Sequence, residues 1–182
     1  IATIRLINQN TGEKTLVEAK CIVNATGAWA GEITEMAGIS INVVLSKGSL
    51  LITQKRITKH VINRLRPPAD ADILVPGGTV SVLGTTSTRV DSLDNIRPSV
   101  AEVDAIIEDG AEMIPVLGTT RYLRAFSGVR PLISKGGSGD DRAVSRDLAL
   151  FDHSENQVHN FLTISGGKLT TFREMAEKAS DM

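Results

Sequence analysis

The chain has 182 residues, enough for one full domain or two small ones, with 20 Lys and Arg against 21 Asp and Glu. The formal net charge of −1 gives no global field for a polyanion, and 3% aromatic residues leave little stacking surface for nucleic acid, so any anion site is local. Cys21 is the only cysteine, which excludes an intrachain disulfide and thiolate-built zinc or iron–sulfur sites, and no apolar run reaches the ~18 residues of a membrane span.

The chain opens on "IATIRLINQN", without a Met or a signal peptide and already inside a strand-like alternation, which reads as a cut within a longer protein. "ATIRLIN" and "KTLVEA" are strand candidates, and the polar "QNTGE" between them predicts a hairpin. Cys21 to Val23 reads as a buried strand running into Thr26-Gly27. A helix is expected from Trp29 to Ala37, ending at Gly38, with Trp29 as a core anchor. Strand, small-residue turn and helix are the local geometry of a nucleotide-binding α/β domain.

From about Ile41 the texture changes. "INVVLSKGSLLITQ", "ADILVPGG" and "TVSVLGTTS" are β-rich segments punctuated by Gly and Pro without helices between them, which predicts an antiparallel sheet. "PSVAEVDAIIEDGAEMIP" is a helix with a Ser99/Glu102 capping box. Its apolar face is Val100, Val103, Ile106, Ile107, Ala111 and Ile114, and Pro115 marks its end. "RYLRAFSGVRPLIS" is a strand whose far end Pro131 should demote to an edge or a turn. "KGGSGDDR" is read as a loop, "AVSRDLALFDH" and "NFLTIS" as strands, and a last helix is expected from Lys168–Thr171 onward. His60, His153 and His159 are scattered without metal-ligand spacing and read as surface or hydrogen-bonded residues; no metal site is expected.

The chemistry concentrates in "ISGGKLTTFREMAE". A helix start leaves backbone N–H groups unpaired at a partial positive charge, glycines let a ligand approach, and threonines add donors. Such a start suits a phosphate, a pyrophosphate or the pyrimidine edge of a flavin. It is not a P-loop, because the first Walker glycine is missing and Leu169 follows the lysine. The residues alone leave a second reading open, a tight turn with Thr171 and Glu174 as a capping box. Arg130 in "FSGVRPLI", Arg146 in "VSRDLAL" and Lys168 stand near strand ends, where two guanidinium forks and an ammonium suit one dianion. A surface Arg146–Asp147 pair and a turn-capping Arg130 remain the alternative. Thr26-Gly27, Gly84-Thr85-Thr86 and the strand from Lys47 are equally open as cofactor channel or plain turns.

In this order, "VNATGAWAGEI", "KGSLLI", "HVINRLRPPADADILVPGGTVSVLGTTS", "RAFSGVRPL", "AVSRD" and "ISGGKLTTFREMAE" resemble the FAD-dependent glycerol-3-phosphate dehydrogenases, members of the D-amino-acid-oxidase-like flavoproteins. The "HVINR" stretch is most similar to the catalytic large subunit of the anaerobic, quinone-linked branch. The resemblance covers nearly the whole chain. It implies a mixed α+β and α/β fold, with an antiparallel-sheet substrate cap and part of a Rossmann-like FAD domain. Residues 1–41 and 148–182 would belong to the FAD domain and 42–147 to the cap.

By the same resemblance Arg130, Arg146 and Lys168 would hold the substrate phosphate or line the catalytic pocket. Thr26, Gly27, Gly166, Gly167, Leu169, Thr170 and Thr171 would line FAD. The implied reaction oxidises sn-glycerol 3-phosphate to dihydroxyacetone phosphate, with hydride passed to FAD and electrons on to quinone through electron-transfer and membrane-anchor subunits. The implied location is cytoplasmic, peripheral to the inner membrane through those partners. No residue is assigned as the catalytic base. A related FAD-dependent amine oxidase, or a non-catalytic phosphate-ligand or protein-binding module, stands as the alternative. The absence of a Gly-x-Gly-x-x-Gly fingerprint and of a cysteine-rich extension reads as the mark of a fragment, expected to bind FAD weakly or not at all and to be inactive alone.

Overall fold

The computed structural model describes residues 2–67, 69–133 and 148–182. In chain order its elements are β1 (Ala2–Ile7), β2 (Lys14–Ala19), β3 (Ile22–Asn24), α1 (Ala30–Glu35), β4 (Val43–Thr53), β5 (Ile62–Asn63), β6 (Ile73–Gly77), β7 (Val80–Gly84), β8 (Thr88–Val90), α2 (Val100–Met113), β9 (Tyr122–Ile133), β10 (Leu148–Asp152), β11 (Phe161–Gly166) and α3 (Phe172–Ser180). Short 3-10 turns, Gly27–Trp29 and Leu169–Thr171, lead into α1 and α3. The described residues divide into two compact units: residues 2–43, 131–133 and 148–182 form the first, and Val44–Arg130 the second.

In the first unit β1 and β2 form the expected antiparallel hairpin, with Ala2 opposite Ala19 and Ile7 opposite Lys14. Its turn is held by the Asn8 side chain, which accepts from the N–H groups of Asn10 (2.9 Å) and Thr11 (3.3 Å). A three-stranded sheet follows in the order β10-β11-β3, antiparallel between β10 and β11 and parallel between β11 and β3. Phe161 through Ser165 are buried without a break, as suits a central strand with α1 and α3 both packed against it. Among the described strands β3 lies at an edge, and this overturns its expected burial: only Asn24 is buried, while Val23 is 49% exposed. Trp29 is also not the expected core anchor. It closes the 3-10 turn with 53% of its surface exposed, and Ala30, one residue on, is the buried one.

The second unit is a sheet in the order β5-β6-β7-β4-β8, antiparallel in each described pairing, with β9 also joined to β4. Its core is Leu51, Ala71, Leu74, Leu83, Ile106 and Leu117. The register explains why these residues meet: Leu83 of β7 lies opposite both Leu51 of β4 and Leu74 of β6. α2 supplies Ile106, and Gly110 lets the helix come close, because a Cβ there would stand 2.6 Å from Leu83 Cδ2. Each large side chain so enclosed contributes roughly 1.5–3 kcal/mol of burial.

The Ser99/Glu102 capping box is present at the start of α2, and Pro115 opens a 3-10 turn after its end. Val100, on the expected apolar face, is 78% exposed because it occupies the first helical position. Pro131 does not break β9, which continues to Ile133; a missing N–H is tolerated where a strand edge has no acceptor to reach. The expected "KGGSGDDR" loop and the first part of "AVSRDLALFDH" lie outside the described residues.

Candidate functional site

In the first unit the site is built where two parallel strands end. β3 and β11 pair with Thr163 opposite Asn24, so the chain leaves both strands on the same side of the sheet. Beyond β3 come Thr26 and Gly27; beyond β11 come Gly166, Gly167 and the turn Leu169–Thr171. Ligands in α/β sheets bind outside the carboxyl ends of such strands. The seven residues expected from the sequence to line a cofactor are therefore gathered at one end of one sheet.

Asn24 organises this end, and no motif in the sequence singles it out. Its amide Nδ2 donates to Ala30 O (3.0 Å) and Thr163 Oγ1 (3.2 Å), tying β3 to α1 and β11. Its Oδ1 accepts from Thr26 Oγ1 (2.7 Å) and Thr26 N (3.3 Å). Buried His153 adds a bond of 2.8 Å between its Nε2 and Thr163 Oγ1, and its ring lies parallel to Phe151 at 6.3 Å and tilted by 36° against Phe161 at 4.9 Å, a packing role. Gly27 follows with φ +63°, and nothing lies within 4 Å of where its Cβ would be, so the backbone faces open space.

On the β11 side Gly166 and Gly167 both have positive φ, +78° and +74°. A Cβ on Gly167 would stand 2.5 Å from Met175 Sδ, so the turn needs glycine on both counts. The Thr171 hydroxyl accepts from Lys168 N (3.0 Å) and donates to Lys168 O (2.9 Å). This corrects the expected Thr171/Glu174 capping box: Thr171 closes its own 3-10 turn, and Glu174 pairs instead with Lys178 at 2.8 Å. The N–H groups of Leu169 and Thr170 open that turn and have no carbonyl within it to bond. Lys168, Leu169 and Thr170 are exposed.

An open groove of about 940 Å³ runs beside α3, lined by Val23, Leu162, Ile164, Phe172 and Met175 among others. Among the described residues no Lys or Arg lines it, so it does not supply the charge an anion needs.

In the second unit Arg130, near the end of β9, is half-buried. Its Nη2 donates to Thr85 Oγ1 (3.0 Å) and its Nη1 to Thr86 O (3.4 Å). The guanidinium lies directly against Gly48, where a Cβ would come within 2.7 Å of Cζ. Only a glycine lets the two approach. The ambiguous stretches "KGSLLI" and "LGTTST" thus meet at Arg130, as neither spacing nor composition revealed.

Beneath them lies a polar cluster. Glu102 Oε2 accepts from Lys47 Nζ (2.7 Å), Ser99 N (2.8 Å) and Ser99 Oγ (2.9 Å). Its Oε1 accepts from Ser49 Oγ (3.0 Å) and Thr86 Oγ1 (3.1 Å). Burial alone would raise this carboxyl, but the bonds from Lys47, Ser99 and Ser49 outweigh it and lower it from 4.5 to about 2. It is ionised at any physiological pH.

Of the three expected phosphate-binding residues, Arg130 belongs to the second unit and Lys168 to the first, while Arg146 lies outside the described residues. Among the described residues no cluster of His, Cys, Asp and Glu could hold a metal ion, and no helix is long and apolar enough to cross a membrane.

Comparison with known proteins follows the same lines. The family described as "DAO: FAD dependent oxidoreductase" matches residues 2–182. One of the subunits of the anaerobic glycerol-3-phosphate dehydrogenase of Escherichia coli K12 is 47% identical over 184 aligned positions, covering 100% of this chain and 34% of that protein. Its counterpart in the anaerobic glycerol-3-phosphate dehydrogenase of Haloferax volcanii is 42% identical over 96% of this chain and 30% of its own length. The chain thus spans about a third of the length of the curated relatives it matches. Among solved structures, the glycerol-3-phosphate dehydrogenase of Bacillus halodurans, complexed with FAD, superposes with a TM-score of 0.75 at 25% identity over 98% of this chain and 34% of that one. The iminodiacetate oxidase of Chelativorans sp. BNC1 shares the fold with a TM-score of 0.63 at 18% identity, over 91% of this chain and 43% of that one.

The residues present fit a flavin. The left-handed glycines, the open space at Gly27 and the N–H groups of Leu169 and Thr170 at the start of their turn offer close backbone approach and donors to an electron-rich carbonyl edge.

Proposed function

We propose a function for a chain that belongs, by the match across residues 2–182, to the FAD dependent oxidoreductase family: it is part of a flavoenzyme that oxidises sn-glycerol 3-phosphate to dihydroxyacetone phosphate. FAD, when bound, supplies the hydride acceptor for this secondary alcohol. The final acceptor is a quinone, reached through electron-transfer and membrane-anchor subunits, and the enzyme works at the cytoplasmic face of the inner membrane. The Escherichia coli relative is itself named as one subunit of its enzyme, which supports the presence of other subunits.

In this reading residues 1–41 and 148–182 serve the FAD domain and 42–147 the substrate cap. Thr26, Gly27, Gly166, Gly167, Leu169, Thr170 and Thr171 face the cofactor. The N–H groups at Leu169 and Thr170 would donate to an electron-rich carbonyl edge of the cofactor and so favour negative charge there, a contribution of a few kcal/mol at comparable sites. Arg130, Arg146 and Lys168 hold the phosphate, away from the carbon that reacts, and so fix that carbon in place.

The observation that supports the proposal is Arg130: a half-buried guanidinium that donates to Thr85 and Thr86 and lies against a glycine backbone has a chemistry that suits an anion. The test is steady-state turnover of sn-glycerol 3-phosphate by the full-length protein, wild type against Arg130→Ala. Loss of the fork is expected to lower kcat/KM by about 10²-fold while flavin absorbance is retained. Equal rates at low substrate would refute the phosphate role.

A further inference from the structure

Among the described residues, three groups that Arg130 touches share one support. Gly48, against which the guanidinium lies, stands between Lys47 and Ser49, and both of those side chains donate to Glu102. Thr86, whose carbonyl receives Nη1, donates its hydroxyl to the same carboxylate and accepts the Ser49 N–H at 2.9 Å. Thr85, which receives Nη2, donates its own hydroxyl to Thr86 O at 3.2 Å. A single ion, at the third position of α2, therefore binds the strand that forms the floor under Arg130 and the turn that forms its wall.

The ion is well kept in place. The side chains of Lys47 and Glu102 are only 13% and 11% exposed, and Lys47 Nζ is anchored further by Arg97 O at 3.1 Å. The first turn of a helix favours a negative charge, so the carboxylate stays ionised where it is needed. A capping box alone requires only the Ser99 bonds. The remaining donors, from Lys47, Ser49 and Thr86, come from β4 and from the turn after β7, and capping does not call for them.

We propose that Glu102 is a positioning residue for substrate binding, setting the Arg130 guanidinium by holding β4 at Gly48 and the Thr85–Thr86 turn in register. The inference rests on the phosphate role proposed for Arg130. Glu102 touches neither substrate nor cofactor in this scheme; it acts through Thr86 and Gly48. Neutralising it loosens both supports, and the fork then meets the phosphate out of alignment.

The experiment is a double-mutant cycle in the full-length protein purified with FAD, combining Glu102→Gln with Arg130→Ala and comparing sn-glycerol 3-phosphate with unphosphorylated glycerol. Glu102→Gln alone should raise KM for sn-glycerol 3-phosphate about tenfold with kcat changed by less than about twofold, and leave kcat/KM for glycerol as it was. In the Arg130→Ala background the same substitution should have no further effect, because its route to the substrate is gone. Multiplying effects, or an equal loss on both substrates, would reduce Glu102 to a scaffold residue and overturn the proposal. If Arg130→Ala alone has no effect, the phosphate role falls and this inference with it. If Arg130→Ala impairs turnover and Glu102→Gln does not, only this inference falls. Should Glu102→Gln fail to fold, Thr86→Val removes the hydroxyl link while keeping the side chain's shape, and the same pattern is expected.

Discussion

A carboxylate that accepts five hydrogen bonds among the described residues has a stability consequence separate from any role in binding. Glu102 is lowered from 4.5 to about 2 on folding, so its contribution is complete above pH 4.5 and is lost as the pH falls through that interval. A shift of that size corresponds to about 3 kcal/mol. In urea unfolding of the chain, the wild-type advantage over Glu102→Gln is expected to shrink by about that amount between about pH 6 and about pH 2; an advantage independent of pH would contradict the assigned ionisation. At this scale the sequence was informative where one residue type has one use. Gly27, Gly166 and Gly167 adopt the left-handed conformations that a small-residue turn suggests. Asn24 and Glu102 were not legible in the same way. Their partners Thr163 and Lys47 are 139 and 55 positions away, and no local pattern records such a meeting.

At the level of elements, α2 was the most legible because its signals are local: a capping box, an apolar face of helical period and a following proline. Its burial is concentrated in Ile106, which is fully enclosed with Leu83 and Leu117. Ile106→Ala is expected to destabilise the second unit by about 2–5 kcal/mol, read as a lower urea midpoint at unchanged slope. An effect below about 1 kcal/mol would mean that the helix is not seated on the sheet. Strand segments could be found in the sequence, but their neighbours could not. Val23 reads as an interior strand residue, and only the absence of a described strand beyond β3 makes it half-exposed. Pro131 reads as demoting the far end of its strand to an edge or a turn; β9 runs through it to Ile133 and, among the described strands, pairs with β4 alone, the edge position in which a strand tolerates proline.

Over the whole molecule, the described residues of the second unit run from Val44 to Arg130. What composition could not convey is that β3 and β11, far apart in the chain, are parallel neighbours, and that this pairing creates the end of the sheet where the left-handed glycines gather. The β1–β2 hairpin contrasts with both cores. Leu6, Ile7 and Leu16 are each half or more exposed, and the hairpin forms a sheet of its own. Two strands with no fully buried residue are marginal by themselves. The consequence is a kinetic hierarchy visible to solvent deuterium. Amides of β1 and β2 should exchange through local opening, orders of magnitude sooner than those of β7 and α2, whose protection should approach that of global unfolding. Uniform protection across hairpin and core would mean that the hairpin opens only together with the rest; otherwise it is where a protease or a competing strand first gains entry.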